Sequence, residues 1–235
     1  ISQDHAGNRQ NEVSISTLAG YMLELQDRGC HNINLVTPSH FVPQIVAVVA
    51  EAVAGGLQVP LVYNTSSYDA VTTLQALDGV VDVYMADLRY AANEPGQKYS
   101  GVADYADRAR AAIKEMYRQV GNLVTDADGV ARRGLIVRHL VLPRGIAGSA
   151  AALNWLAGEL SPEVTVSVMS QYYPAHRAGK YPEIACRITA AEYAEVVEVV
   201  NRLGMENGWL QDDAAAAYYL PDFRKEEPFR GDEDR

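Results

Sequence analysis

Polar side chains recur in one kind of place in this sequence, at the ends of short apolar runs. Thr37, Ser39 and His40 close "INLVTP" (33–38). Asn64, Thr65 and Ser66 close "VPLVYNT" (59–65). Asp87 and Arg89 close "VVDVYMADL" (80–88), Arg138 and His139 lie within "GLIVRHLVLP" (134–143), and Gln171, Tyr172 and Tyr173 end "VTVSVMSQYY" (164–173). An arginine can clamp a carboxylate in bidentate fashion, and hydroxyls, amides and an imidazole add donors and acceptors around it. The set suits the holding of a polar ligand. Ser39 and Ser66 can equally cap the helices that follow them, and Tyr172 and Tyr173 can equally be packing aromatics.

Other chemistries find less support. His31, His139 and His176 match no compact metal-binding spacing, and a structural role suits each. No pair of carboxylates forms a recognisable hydrolytic constellation. Lys98, Lys114 and Lys180 fall in loops or helices, so no strand-end lysine offers itself for a Schiff base.

The runs that carry these residues alternate with helical periodicities. Ser16 can cap a helix with Leu18, Met22 and Leu25 on one face, ending near Gly29. Pro43 suits the first turn of a helix carrying Ile45, Val46, Val49 and Val53, stopped at Gly55-Gly56. Val71, Leu74 and Leu77 mark a short helix, and Ala109, Ile113, Met116 and Val120 a longer one. Residues 122–134 read as a β-hairpin turning at Asp128-Gly129. A helix runs through Leu153 and Leu156. The last helix opens with a capping box, Thr189 with Glu192, and stops at Gly204.

Helices between apolar strands imply parallel βαβ units covered on both faces, with ligands at the strands' C-terminal ends. The predicted spatial order of the five parallel strands is 33–38, 59–65, 80–88, 134–143, 164–173, with the hairpin outside the sheet. The predicted domain covers residues 1–212, and a polar tail covers 213–235, with Glu226, Glu227, Asp232, Glu233 and Asp234 solvated.

Composition narrows the class. The 235 residues can build one core, and 48% hydrophobic with 21% charged residues is ordinary for a globular domain. The net charge of −10 argues against a nucleic-acid partner. No apolar run reaches membrane-spanning length. Cys30 and Cys186 make no disulfide framework, which fits a reducing cytoplasm.

Seven blocks resemble radical S-adenosylmethionine proteins related to pyruvate formate-lyase-activating enzyme: "GCHNINLVTPSHFVPQI" (29–45), "PLVYNTSSYD" (60–69), "VDVYMADLRY" (81–90), "KYSGVADY" (98–105), "MYRQVGNL" (116–123), "RGLIVRHLVLP" (133–143) and "SVMSQYYP" (167–174). The resemblance runs from Ile1 to about Gln211. It implies a partial (β/α)6 TIM-like barrel lacking its first strand, with five parallel strands present. It implies S-adenosylmethionine and a [4Fe–4S] cluster as cofactors. In that family a Cys-x-x-x-Cys-x-x-Cys loop precedes a segment similar to Ile1-Ser2-Gln3. The expectation is that this chain starts just after that loop and holds no cluster itself.

The same resemblance places cofactor contacts at Thr37, Ser39, His40, Asn64, Thr65, Asp87, Arg89, Arg138, Gln171 and Tyr173. Thr37-Pro38-Ser39-His40 stands where relatives carry a Gly-Gly-Glu segment, and Arg89 stands where they carry lysine. It implies oxidoreductase chemistry through a 5′-deoxyadenosyl radical. The implied partners are a glycyl-radical enzyme or another peptide substrate, and an electron donor such as flavodoxin or ferredoxin. The alternatives are a radical enzyme for another peptide or small molecule, and a non-catalytic protein binding S-adenosylmethionine or a partner. Strand 33–38 is expected to leave one edge unpaired, with Ile33, Leu35 and Thr37, or else Asn34 and Val36, facing inward. That edge would self-associate or lie over residues 1–13.

Overall fold

The computed structural model describes residues 12–211; the tail expected at 213–235 lies outside them, as does the Ile1-Ser2-Gln3 segment. A single sheet organises these residues, with helices packed on its outer face. Helix α1 (Ile15–Asp27) leads into β1 (Ile33–Val36), α2 (Val42–Ala54), β2 (Leu61–Thr65), α3 (Val71–Gln75) and β3 (Val83–Asp87). Then come a short turn α4 (Asn93–Pro95), the long α5 (Tyr105–Val120) and β4 (Val124–Thr125). The chain continues through β5 (Ala131–Leu140), α6 (Ser149–Glu159), β6 (Thr165–Met169), α7 (Ala190–Arg202) and β7 (Gly208–Leu210).

The strand order is β1-β2-β3-β5-β6-β7, and every neighbour in that row pairs parallel. The strands expected from the sequence thus occur in the expected order and direction. A further short strand, β7, was not legible. It follows α7 and pairs Gly208, Trp209 and Leu210 with Val166, Ser167 and Val168. The expected hairpin differs in one respect. Its first arm, β4, pairs antiparallel with Arg133 and Ala131, so its return arm is the beginning of β5 itself.

Strand alternation separates two faces. Tyr63, Tyr84, Ala86, Leu135, Val137, Val166 and Val168 join the large core beneath the helices. Val62, Val83 and Ile136 form a smaller cluster with Met85 and Leu123 on the concave face. The same alternation puts Asn64, Asp87 and Arg138 on that concave face, one step nearer the strands' C-terminal ends. On β1, Ile33 is buried and Val36 is 68% exposed, so Ile33 and Leu35 belong to the helix side. Strand β1 pairs with β2 alone among the described residues.

Local signals explain most helix ends. Ser14, not Ser16, caps α1: its hydroxyl accepts the Thr17 N–H at 3.1 Å. Pro43 sits in the first turn of α2. The Thr189–Glu192 capping box forms as expected. Glu192 also accepts the Arg144 N–H at 2.5 Å, tying the loop after β5 to α7. Asp82, an apparent interruption before β3, is a tie between strands. Its carboxylate accepts the Leu61 N–H at 2.8 Å, and its carbonyl accepts the Gly134 N–H at 2.9 Å.

His139 is fully buried on the helix side of β5. A carbonyl can only accept, so Nδ1–H donates to Leu88 O at 2.6 Å, and Nε2 accepts the Ser149 hydroxyl at 2.8 Å. Burial pushes its pKa below the ordinary value, against the smaller opposing effect of the Leu88 bond. The native imidazole is therefore neutral, while the unfolded one gains a proton near pH 6.5. The stability held by this neutral bridge is present above that pH and is lost as pH falls below it. Between pH 7.5 and 5.5 the unfolding free energy from urea melts should fall by up to about 1.4 kcal/mol per pH unit from this group, below about pH 6.5. His139→Gln should flatten that slope; an unchanged slope would remove His139 as its source.

Candidate functional site

The C-terminal ends of β2, β3 and β5, with Arg89 just after β3, bring four of the expected residues together. Asp87 Oδ1 accepts from Arg138 Nε at 2.7 Å and Nη2 at 2.6 Å, and Arg138 Nη2 also donates to Asn64 Oδ1 at 2.8 Å. Arg89 Nη2 reaches Asp87 Oδ2 at 3.3 Å. One carboxylate thus stands between two guanidinium groups, leaving a net positive site. The side chains of Asp87 and Arg138 are 15% and 27% exposed, and that of Arg89 is 51% exposed. Arg138 is the fixed member of the cluster, and Arg89 is the one with the longest bond and the most freedom to leave it.

Register explains the meeting. Asn64 pairs with Met85, and Asp87 pairs with Arg138, across neighbouring parallel strands. Tyr105, on α5, fixes the height of these strand ends. Its oxygen contacts Ser66 O at 3.0 Å and Asp87 O at 2.9 Å, and accepts the Arg89 N–H at 3.0 Å. Burial raises its pKa, so it remains a neutral phenol. A cavity of about 280 Å³ opens beside the cluster, walled by Asp87, Arg89, Arg138, Leu140, Met169 and Tyr172 together with Tyr90 and Leu142. Sequence reasoning missed Tyr90, Leu140, Leu142 and Met169, because apolar walls carry no motif.

The other expected residues have different places. Thr37 turns the chain from β1 into a short 3-10 helix, Pro38–Phe41, with φ +54. A β-branched residue in that region is strained. Its N–H bonds Asn64 O at 2.9 Å, which docks the turn beside Asn64. Ser39 is half-buried and bonds toward Tyr63, while His40 is exposed. Thr65 points to the helix side, where its hydroxyl donates to the buried Asp69 at 2.5 Å. Tyr63 donates to the same carboxylate at 3.0 Å, and burial, foremost, with Asp69 beside it raises the Tyr63 pKa. Thr65 therefore braces the loop after β2. Gln171 accepts from Gln211 at 3.3 Å. Tyr173 is 41% exposed beneath Arg187.

The described residues do not assemble a cluster-binding set. No three His, Cys, Asp or Glu side chains among them gather as metal ligands. Cys30 lies in the turn before β1, at the sheet's N-terminal edge, and Cys186 is exposed in the loop between β6 and α7, at the opposite edge. These thiols do not fit a [4Fe–4S] site. The Asp87–Arg138–Arg89 cluster does fit a ligand carboxylate, since its two cations share a single acid.

No family model matches this sequence. The solved structure of HydG, a maturase of the [FeFe]-hydrogenase, aligns over 87% of this chain and 46% of its own, with a TM-score of 0.53 and 13% sequence identity. The architecture is a parallel α/β sheet, a partial barrel similar to the aligned part of HydG. By sequence, the chain is 30% identical over 148 residues to the uncharacterized protein MJ0674 of Methanocaldococcus jannaschii. That match covers 63% of this chain and 40% of the relative, so the chain spans well under half of its relative's length. Within the partial barrel, the cluster and cavity occupy the C-terminal ends of the strands, the usual ligand edge of such sheets. No helix among the described residues is long and apolar enough to cross a membrane.

Proposed function

We propose that this chain is the ligand-binding core of a radical S-adenosylmethionine enzyme. The observation that carries the reading is the Asp87–Arg138–Asn64 cluster with Arg89 beside it, at adjacent strand ends of a partial barrel. S-adenosylmethionine, when bound, supplies the 5′-deoxyadenosyl group from which the family generates its radical. This chain's residues would hold the methionine part. Arg89, half-exposed and weakly tied to Asp87, turns to the carboxylate, while Arg138 stays on Asp87 and Asn64. Tyr90, Leu142 and Tyr172 shield that side of the cavity from water. Activation of a glycyl-radical enzyme, with flavodoxin or ferredoxin as electron donor in the cytoplasm, is the nearest use. Radical chemistry on another peptide or small molecule uses the same cradle.

A second reading is a non-catalytic protein that binds S-adenosylmethionine or a partner. Titration calorimetry with S-adenosylmethionine on the 235-residue chain tests both readings. Weak, saturable binding is expected, reduced about tenfold by Arg89→Ala, the worth of one charge-assisted hydrogen bond, and unchanged by His31→Ala. Equal effects of the two substitutions would remove Arg89 from the site. Tight binding by this chain alone would favour the non-catalytic reading.

A further inference from the structure

The segment from Ser170 to Thr189 builds a second chamber beside the strand-end cavity. Its volume is about 300 Å³, and Tyr90, Tyr99, Tyr172, Tyr173 and Tyr181 line it. Tyr90, Leu142 and Tyr172 border both spaces, so the chamber and the Asp87–Arg138 cavity share a wall. Three of the phenol groups are engaged by the protein. Tyr172 donates to Ile184 O at 2.7 Å, Tyr99 donates to Glu183 at 2.8 Å, and Tyr90 pairs with Ser100 at 3.1 Å. Tyr99 and Tyr181 meet edge to face, with centroids 5.2 Å apart. Rings whose hydroxyls are anchored elsewhere offer a chamber their planar, apolar surfaces.

An aromatic chamber can hold a cation on its ring faces. Here the protein's own cations already take that role. Lys98 lies 5.2 Å from the Tyr99 centroid, and Arg187 lies 5.1 Å from that of Tyr173. His176 and Arg177 add to the lining. Neither Arg177 nor Arg187 has an ion-pair partner among the described residues, and Glu183 is already paired with Lys98. The rim is thus cationic in a chain whose net charge is −10. A bound cation would meet repulsion, whereas an anion with a flat apolar body finds both of its requirements.

We propose that this chamber takes an aromatic or heteroaromatic carboxylate, its ring among the tyrosines and its acid group on Arg177, within reach of the adjoining strand-end cavity. This deepens the reading above by naming a substrate class, and it rests on that reading only for the chemistry that follows binding. Calorimetry on the full chain with 1-naphthylacetate, its neutral amide 1-naphthylacetamide and the cation 1-naphthylmethylamine tests it. The carboxylate should bind saturably, about tenfold tighter than the amide, as one charge-assisted bond provides. The amine should not bind. Arg177→Gln should erase the difference between carboxylate and amide. Tyr181→Ala should weaken both, and the more exposed Tyr173→Ala serves as a second test should Tyr181→Ala fail to fold. Absence of carboxylate binding, equal binding of the amine, or a preference that survives Arg177→Gln would overturn the proposal. A parallel titration with S-adenosylmethionine separates the two ideas. Naphthylacetate binding without cofactor binding leaves the chamber standing and removes the radical-enzyme reading, and the reverse result removes the chamber alone.

Discussion

Gly134→Ala should destabilise the chain by roughly 3 kcal/mol or more, a loss visible as a large fall in the urea midpoint. Gly134 has φ +129, and a Cβ there would lie 2.4 Å from Leu123 Cα and 2.5 Å from Asn122 O. Both are backbone atoms of the segment that crosses the start of β5, so no side chain can swing aside. The same residue donates its N–H to Asp82 O at 2.9 Å, which joins β5 to the residue just before β3. Relief of the clash must either push the 122–125 arm away or loosen the β3–β5 junction that aligns Asp87 with Arg138. Gly129→Ala is the control. It lies at the hairpin tip with φ +78 and nothing within 4 Å of an added Cβ, so only backbone strain of about 1–2 kcal/mol is expected. Equal costs at the two glycines would show that the crossing is not what demands Gly134.

The contrast between these glycines marks what the sequence could and could not disclose. Gly129 was legible because Asp-Gly between two apolar runs names a turn. Gly134 was not, since its requirement comes from Leu123 and Asn122 arriving from another segment. The five longer strands were legible because their runs are nearly continuous in apolar residues. β7 was missed because three residues, Gly208–Leu210, all exposed, carry no such run. At the site, the strand-end position picked out Asn64, Asp87, Arg89 and Arg138, since register does the rest. It could not separate Thr65, whose alternation turns it toward Asp69. The tyrosine chamber was hidden for a different reason: Tyr90 and Tyr99 meet Tyr172, Tyr173 and Tyr181 only through the long β6–α7 loop. His176 and Arg177, read from sequence as a structural histidine and an unremarked arginine, acquire significance from that loop alone.

Asp87→Ala should cost about 3 kcal/mol and free Arg138 to compete with Arg89 for a ligand carboxylate. Removing one partner of a buried ion pair typically costs about 3–5 kcal/mol, and the partial exposure of Arg138 places this site at the lower end. Alanine would leave Arg138 with only Asn64 as a partner and would set two guanidinium groups against each other across an empty position. Arg138 would then be drawn to a ligand carboxylate or to water, and the division of labour between a fixed and a mobile arginine would be lost. The pair can be separated from its burial by a second substitution. Asp87→Leu combined with Arg138→Met replaces the ions by apolar groups of similar volume, an exchange that is often neutral or stabilising. The double variant should therefore be more stable than Asp87→Ala and keep only the carboxylate affinity that Arg89 alone provides. Urea melts of the single and double variants, read with the titrations, distinguish a site held together for binding from one retained for the fold. A single variant within about 0.5 kcal/mol of the parent would show that Asp87 carries neither role.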